Sequence, residues 1–550
     1  NLMPTLNWIG KEAVIKHHHE VPFQLLKDVP ELSCGDPGSG NLILQGDNLV
    51  GLKALLPYYA GKVKCVCIDP PYNTGNEGWA YNDNVNSPEI REWIGKVVGK
   101  EGETLDRHDR WLCMMYPRLA ILREFLARDG SIFVCIDDNE VQSLRFIMDE
   151  IFGPQNFVAT ILWQKVFAPK NSAKHFSEDH DYVVVYARNA EVWRPNLIPR
   201  SEEAKTRYKN PDNDHRGPWT SGDLQARNYY SEGTYPVTCP SGRVIKGPGS
   251  GMYWRVAKSK FDELDADGRI WWGAKGDNMP RLKRFISEVK DGVVPQTLWL
   301  HGGVGHTQEA KKELLSVLEF ESSADVFITP KPTRLIQRIL QIATNPGDLV
   351  LDSFAGSGTT GHAVIKMNHD ESTKPVPKGD GEVNARRFIL IEMSEDVARD
   401  VTAERNRRAS EGYTNAKKEK VPGLGGGFRF CELGTPLFDE SGQIRDSVKF
   451  GELARHVYFT ETGEPLPRER VPNTPLIGVC RGVAVFLLFN GILGDKSSNG
   501  GNVLNRKILA QLPEHDGPKV IYCAGCLLSR DRLADQGITI RQTPYEIRIS

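Results

Sequence analysis

The chain has 550 residues and a net charge of −2, with 39% hydrophobic and 25% charged residues. That length suits about two to four domains, and no apolar run is long enough to cross a bilayer. A near-neutral chain is not a polycation, so nucleic acid would have to be met on a local basic face. Ten scattered cysteines without a framework, and no visible secretory leader, point to a cytoplasmic setting, although Asn1 leaves the true start open. Cys523 and Cys526 form a lone CxxC without a second pair. His17, His18 and His19 read as a surface cluster. No metal is expected from either.

Six short apolar segments, each followed by a polar loop, read as buried strands: 41–45, 63–68, 131–136, 182–186, 349–351 and 387–391. Helical patterns at 48–56, 111–127, 331–343 and 360–366 lie between several of them. Strands alternating with helices predict a mostly parallel α/β sheet covered on both faces. Sites in such sheets lie beyond the carboxyl ends of the strands. The βα rhythm breaks between about 162 and 327, where Pro, Gly, Trp and Tyr are frequent, and this stretch reads as an inserted domain. Residues 370–384 read as an exposed loop and 416–427 as a linker. Apolar runs at 476–488 and 519–527 predict a small C-terminal α/β module.

Asp69-Pro70-Pro71-Tyr72 closes the strand at 63–68. Two prolines fix φ and remove two N–H donors, so Pro70 cannot extend a ladder and its carbonyl is free to face a cleft. The Asp69 carboxylate and that carbonyl can accept both hydrogens of an aromatic amino group. The nitrogen lone pair is then drawn out of conjugation, and Tyr72 supplies a flat face for an extruded base. A proline turn that merely ends a strand is the plainer reading of the same four residues.

The second motif follows the strand at 349–351: Asp352-Ser353-Phe354-Ala355-Gly356-Ser357-Gly358-Thr359-Thr360. Glycines let backbone pass close beneath a ligand, and the helix starting near Thr359 presents free N–H groups to a carboxylate or phosphate. Gly356, Gly358 and Gly361 also match the dinucleotide fingerprint, so these glycines alone admit a nicotinamide or flavin oxidoreductase. Glu392, at the end of the next strand, suits ribose hydroxyls in either case. Asp352 and Phe354 favour the other reading, because Asp-x-Phe-x-Gly-x-Gly resembles the S-adenosylmethionine loop of amino-group DNA methyltransferases.

Together with Asp47 and Asn48 after the first strand, Arg118 in the helix at 111–127, and Lys331-Pro332, these pieces resemble β-class amino DNA methyltransferases. They are most similar to the modification (Mod) subunits of type III restriction–modification systems. The matching pieces run over 41–188 and 325–408. The resemblance implies a circularly permuted, Rossmann-like methyltransferase sheet, since the amino-group motif precedes the cofactor loop. It implies methyltransferase halves at 1–161 and 326–415, a target-recognition domain at 162–325, and a linker and C-terminal module at 416–550. It implies Asp69, Pro70, Pro71 and Tyr72 as catalytic residues. Asp47, Asn48, Lys331, Pro332, Asp352, Phe354, Ala355, Gly356, Ser357, Gly358, Thr359, Thr360 and Glu392 would bind S-adenosyl-L-methionine. Aspartate at the first motif position favours adenine N6 over cytosine N4 as the methylated group, by analogy. In the insert, Arg243, Lys246, Arg255, Lys258 and Lys260 interleave with Tyr253 and Trp254, and Arg281, Lys283 and Arg284 form a second cluster, as a DNA-binding face would. A solvated basic face over core aromatics produces the same pattern. Expected partners are double-stranded DNA, a second copy of the chain and a restriction or other phage-defence subunit, with no membrane.

Overall fold

The computed structural model describes residues 6–36, 39–74, 95, 107–289, 292–320, 329–373, 384–415, 418–467, 471, 473–489, 492 and 501–543. Two compact units emerge, one formed by residues 1–195 with 296–550, the other by Asn196–Pro295.

The first unit is built on a large mixed sheet. Its strands are β1 (Leu42–Gln45), β2 (Val63–Ile68), β3 (Leu126–Ile136), β4 (Phe157–Gln164), β5 (His180–Ala187), β6 (Leu349–Asp352), β7 (Arg387–Glu392) and β8 (Gly427–Pro436). Across the sheet the order is Gln24–Asp28, β8, β1, β7, β6, β2, β3, β5, β4 and Leu298–Trp299. From β8 to β3 every pairing is parallel. β5 then runs antiparallel to both β3 and β4. The central strands read as nearly continuous apolar runs because both faces are covered. Val66 and Ile68 of β2 turn to the cluster formed with helices α1 (Asn48–Tyr59), α2 (Arg107–Phe125) and α3 (Val141–Phe152). Alternate residues Cys65 and Cys67 are buried as well. Helices α4 (Thr333–Ala343) and α5 (Thr359–Ser372) pack on each other and against β2 and β7. Leu335, Ile336, Ile339, Leu340 and Ile342 of α4 form a buried stripe at helical spacing. Each such side chain contributes about 1.5–3 kcal/mol by leaving water.

The six expected strands are all present, and two begin before the apolar run: β3 at Leu126 and β5 at His180. β4, β5 and Leu298–Trp299 belong to the main sheet, so the separate unit, Asn196–Pro295, is narrower than the interval 162–325. β8 also joins the main sheet, against β1. Within the expected linker, Lys420–Pro422 pairs with Gly412–Thr414 in a small antiparallel ladder. Of the loop expected at 370–384, Asp370, Glu371 and Ser372 complete α5, and 374–383 lie outside the described residues. The C-terminal module is a four-stranded sheet in which Leu476–Cys480 and Val483–Leu487 form a hairpin, followed by Lys519–Cys523 and Ile538–Gln542 in parallel. Helix Phe450–Thr462 covers one of its faces.

His18 is buried, a departure from the surface cluster expected at 17–19, and burial lowers its imidazole to about 4. Among the described residues no helix is long and apolar enough to cross a membrane, and no group of three or more His, Cys, Asp or Glu is placed to hold a metal ion.

The Asn196–Pro295 unit has its own core of Trp254, Phe261 and Trp272 with smaller apolar residues. Its chain enters and leaves side by side, because Ile198 and Val293 exchange backbone hydrogen bonds of 2.9 and 2.8 Å. Arg243, Lys246, Arg255, Lys258 and Lys260 are all exposed. Lys258 and Lys260 pair with Asp262 and Glu263 on their own helix. Trp254 is a core residue, and Lys283 is buried against Asp212 and Asp214, so that part of the expected face is interior.

Candidate active site

The sheet brings two distant motifs to one edge. β6 and β2 are neighbours in parallel register, Val350 opposite Cys65 and Leu351 opposite Val66. Their carboxyl ends therefore deliver Asp352 and Asp69 to the same side of the sheet. A cleft lies there, lined by Asp69, Lys331, Asp352, Phe354, Gly356 and Thr360 among others. Ala355, Ser357 and Thr359 also line it, with Ile68, Cys67, Cys135 and Ile336 as apolar wall. A few polar groups on a largely apolar wall is the usual make-up of a small-molecule site.

The glycine-rich turn is held from three directions. Asp352 closes it from within: its carboxylate accepts from the Phe354 N–H at 3.0 Å and the Thr360 hydroxyl at 2.6 Å. Burial, with the charges of Asp69 and Glu392, outweighs those hydrogen bonds and pushes the Asp352 carboxyl up to about 7. From β7, Glu392 accepts from the Gly356 N–H at 2.8 Å and the Ser394 N–H at 3.0 Å. From the helical segment after β7, the Thr402 hydroxyl donates to the Gly356 carbonyl, and the Asn406 amide donates to the Gly358 carbonyl. Arg405, fully buried, donates to the Ser357 carbonyl and hydroxyl and to the hydroxyls of Thr359 and Thr333. Gly356 and Gly358 have φ of 48° and 70°, in the left-handed region that glycine occupies at little cost.

The Asp69 turn has its own supports. The Trp111 indole donates to the Pro71 carbonyl at 2.7 Å. Asn73, at a left-handed φ of 59°, donates to the Arg107 carbonyl and to the wholly buried Glu140, which His108 also contacts at 2.7 Å. Lys331 reaches across to pair with the Asp69 carboxylate, and its ammonium lies 5.0 Å from the centre of the Tyr72 ring. Burial opposes the Lys331 charge, but Asp69 and its other acidic neighbours outweigh it and keep the ammonium above its ordinary value. Burial, then the Asp69 charge, pushes the Tyr72 phenol well up.

Asp47 and Asn48 act one step back. Asp47 caps α1 by accepting from the N–H groups of Leu49 and Val50 at 2.9 and 3.0 Å. Asn48 donates to the Ser353 carbonyl at 3.1 Å, tying α1 to the glycine-rich turn. Buried Arg118 joins both, pairing with Asp47 at 3.0 Å and donating to Asn48. Pro332 lies against Gly305 at the start of α4. Sequence reasoning gave no role to Arg405, Thr402, Asn406, Glu140 or Trp111. Each acts by a contact remote in the chain, although Trp111 stands with Arg118 in the helix already singled out at 111–127.

The cleft suits S-adenosylmethionine. It offers a close-approach turn, a helix start at Thr359, one ammonium for a carboxylate and an apolar wall.

Residues 63–404 match the N6/N4 family described as DNA methylase. The chain is similar to the type III restriction-modification enzyme StyLTI Mod subunit of Salmonella typhimurium, 31% identical over 417 residues, 73% of this chain and 60% of that protein. It is also similar to the EcoPI Mod subunit of Escherichia phage P1, 31% identical over 430 residues, 72% of this chain and 64% of the relative. Type II methyltransferase M.KpnI of Klebsiella pneumoniae is 26% identical over 449 residues, 76% of this chain and 98% of that enzyme. The chain thus spans under two thirds of the length of the Mod subunits it matches. Taken with the shared cleft of Asp69 and the 352–360 turn, the match over 63–404 decides between the two readings of the glycines: the chain belongs to the DNA methylase family.

Proposed function

We propose that this protein transfers a methyl group from S-adenosyl-L-methionine to the N6 amino group of an adenine flipped out of double-stranded DNA, as the modification component of a restriction–modification or phage-defence system. The observation that carries the proposal is the convergence of Asp69 and the 352–360 turn on one cleft, from neighbouring parallel strands. The names of the Mod relatives support the setting, and a restriction subunit and a second copy of the chain are the partners it implies.

The donor supplies a methyl carbon activated by its sulfonium. The chain supplies alignment and charge. Asp69 and the Pro70 carbonyl accept the two amino hydrogens, turning the nitrogen lone pair toward the methyl group. Positive charge that develops on the nitrogen is stabilised by Asp69, which then accepts the released proton or passes it to water. Tyr72 stacks against the extruded base. Phe354 to Thr360 would cradle the donor, with Glu392, Asn48 and Arg405 holding that turn in place. The Asn196–Pro295 unit reads the DNA sequence, with Arg243, Lys246 and Arg255 as candidate contacts.

The test uses unmethylated bacterial DNA, labelled S-adenosylmethionine and single-molecule sequencing of the product. Label should enter DNA, at adenine N6, in one sequence context. Asp69→Ala should abolish transfer while the protein still binds S-adenosylhomocysteine. Full turnover by that variant would remove Asp69 from the mechanism, and N4-methylcytosine in the product would replace adenine as the target.

A further inference from the structure

Lys331 has one ammonium and two claimants. In this structure it pairs with Asp69, a residue 262 positions away in the chain. Asp69 is also the carboxylate that must accept hydrogen from the target amino group. An ammonium on that carboxylate occupies the place of the amino group and offers the same kind of donor. Yet Lys331 is also the only cation among the described residues lining the cleft. Its carbonyl accepts from Thr359, the first residue of α5, at 3.3 Å, so its backbone sits against the glycine-rich turn. Pro330 and Pro332 on either side restrict that backbone. The four-carbon stem is flexible, so the ammonium can exchange partners while the main chain stays still.

Resting on the methyl-donor reading above, we propose that Lys331 is a positioning residue that leaves Asp69 for the carboxylate of the bound donor, so that donor binding uncovers the group that grips the base. Until donor binds, Lys331 caps Asp69 and keeps a base out. When a carboxylate enters the cleft, the ammonium moves to it and Asp69 is exposed. The two sites are then coupled in both directions, as linkage requires. Donor binds before base, and a captured base tightens the hold on donor.

The coupling is measurable without DNA. S-adenosylhomocysteine carries the amino-acid carboxylate, whereas 5′-methylthioadenosine is a similar nucleoside thioether without it. Neither bears a sulfonium, so neither is attracted to Asp69 on that account. Both are titrated by calorimetry into the full chain, Asp69→Asn, Lys331→Gln and the double variant. Freed from Asp69, Lys331 should bind the carboxylate more readily. Asp69→Asn should therefore tighten S-adenosylhomocysteine by roughly five- to tenfold, the lower range of typical site–site couplings. Its affinity for 5′-methylthioadenosine should stay as in the unaltered protein. Lys331→Gln should weaken S-adenosylhomocysteine, and adding Asp69→Asn to it should then change nothing. Unaltered or weaker S-adenosylhomocysteine binding by Asp69→Asn overturns the exchange. Tightening of both ligands alike, or tightening that persists without Lys331, overturns it as well, because the effect would then not pass through this ammonium. Failure of the unaltered protein to bind either ligand is a different result, and it removes the donor reading itself.

Discussion

Gly358 and Gly361 lie three residues apart at the start of α5 and should respond differently to the same added methyl group. At Gly358 the backbone has a φ of 70°, and a Cβ would come within 2.5 Å of the Asn406 amide nitrogen and 3.0 Å of the Thr402 carbonyl oxygen. The left-handed conformation costs an alanine about 1 kcal/mol, and overpacking costs about 1–3 kcal/mol more. Gly358→Ala should thus destabilise the methyltransferase unit by about 2–4 kcal/mol. At Gly361 the backbone is ordinary helix, and the clash is with the Asn406 side chain at 2.3 Å and with Leu390 of β7 at 3.0 Å. Better helix propensity returns about 1 kcal/mol, leaving a net cost of about 0–2 kcal/mol. Asn406→Ala should relieve Gly361→Ala, with a coupling of about 1 kcal/mol. It should relieve Gly358→Ala far less, since the Thr402 backbone stays in place. Urea unfolding followed by tryptophan fluorescence measures the stabilities, and S-adenosylhomocysteine affinity reports the turn itself. Should Gly358→Ala unfold like the unaltered protein and bind ligand normally, the tight-approach account of this turn is wrong. Equal rescue of both glycines by Asn406→Ala would show that the backbone contact at Gly358 is not limiting.

Two further outcomes follow from the same geometry. Asp352 is held near 7 in the folded protein against an ordinary 3.8, so the folded state keeps a proton that the unfolded chain releases. Its contribution is fully present below about pH 4 and is lost as pH rises through about 7. Asp352→Asn should remove that loss, and the stability difference between the two proteins should change between those pH values and flatten above; a difference constant from pH 4 to 8 refutes it. Because Ile198 and Val293 pair at the base of the second unit, residues 196–295 should be replaceable by a short Gly-Ser linker. The shortened protein should fold and bind S-adenosylhomocysteine but lose methyl transfer to DNA, and retained transfer in the original sequence context would take target reading away from this unit.

Much of the architecture was legible because parallel strands buried on both faces are written as nearly continuous apolar runs. Val63–Ile68 matched to the residue. Strand ends were less legible where a polar stretch interrupts the ladder, as in β3: Leu126 pairs with Val63, Arg128-Asp129-Gly130 fall in a register shift, and pairing resumes at Ser131. β8 was missed because a glycine-rich approach, 423–427, masks a strand whose partner, β1, is nearly four hundred residues earlier. Basic residues in the insert were legible as residues but not as surface. Whether a lysine faces water or, like Lys283, two buried aspartates depends on neighbours far along the chain.

The sequence by itself determined the chemistry on offer. Prolines and glycines act on their own backbone, so Asp69-Pro70-Pro71-Tyr72 and the 352–360 turn carry their geometry locally, and their order, set beside the family it resembles, implied a permuted sheet. Tertiary structure alone decided which groups meet. Lys331 with Asp69, Arg405 beneath Ser357 and Thr359, and Asn48 on Ser353 are contacts across dozens to hundreds of residues. Charge and hydrogen bonding act through space at a few ångströms, and spacing along a chain does not encode that distance until the sheet has closed it.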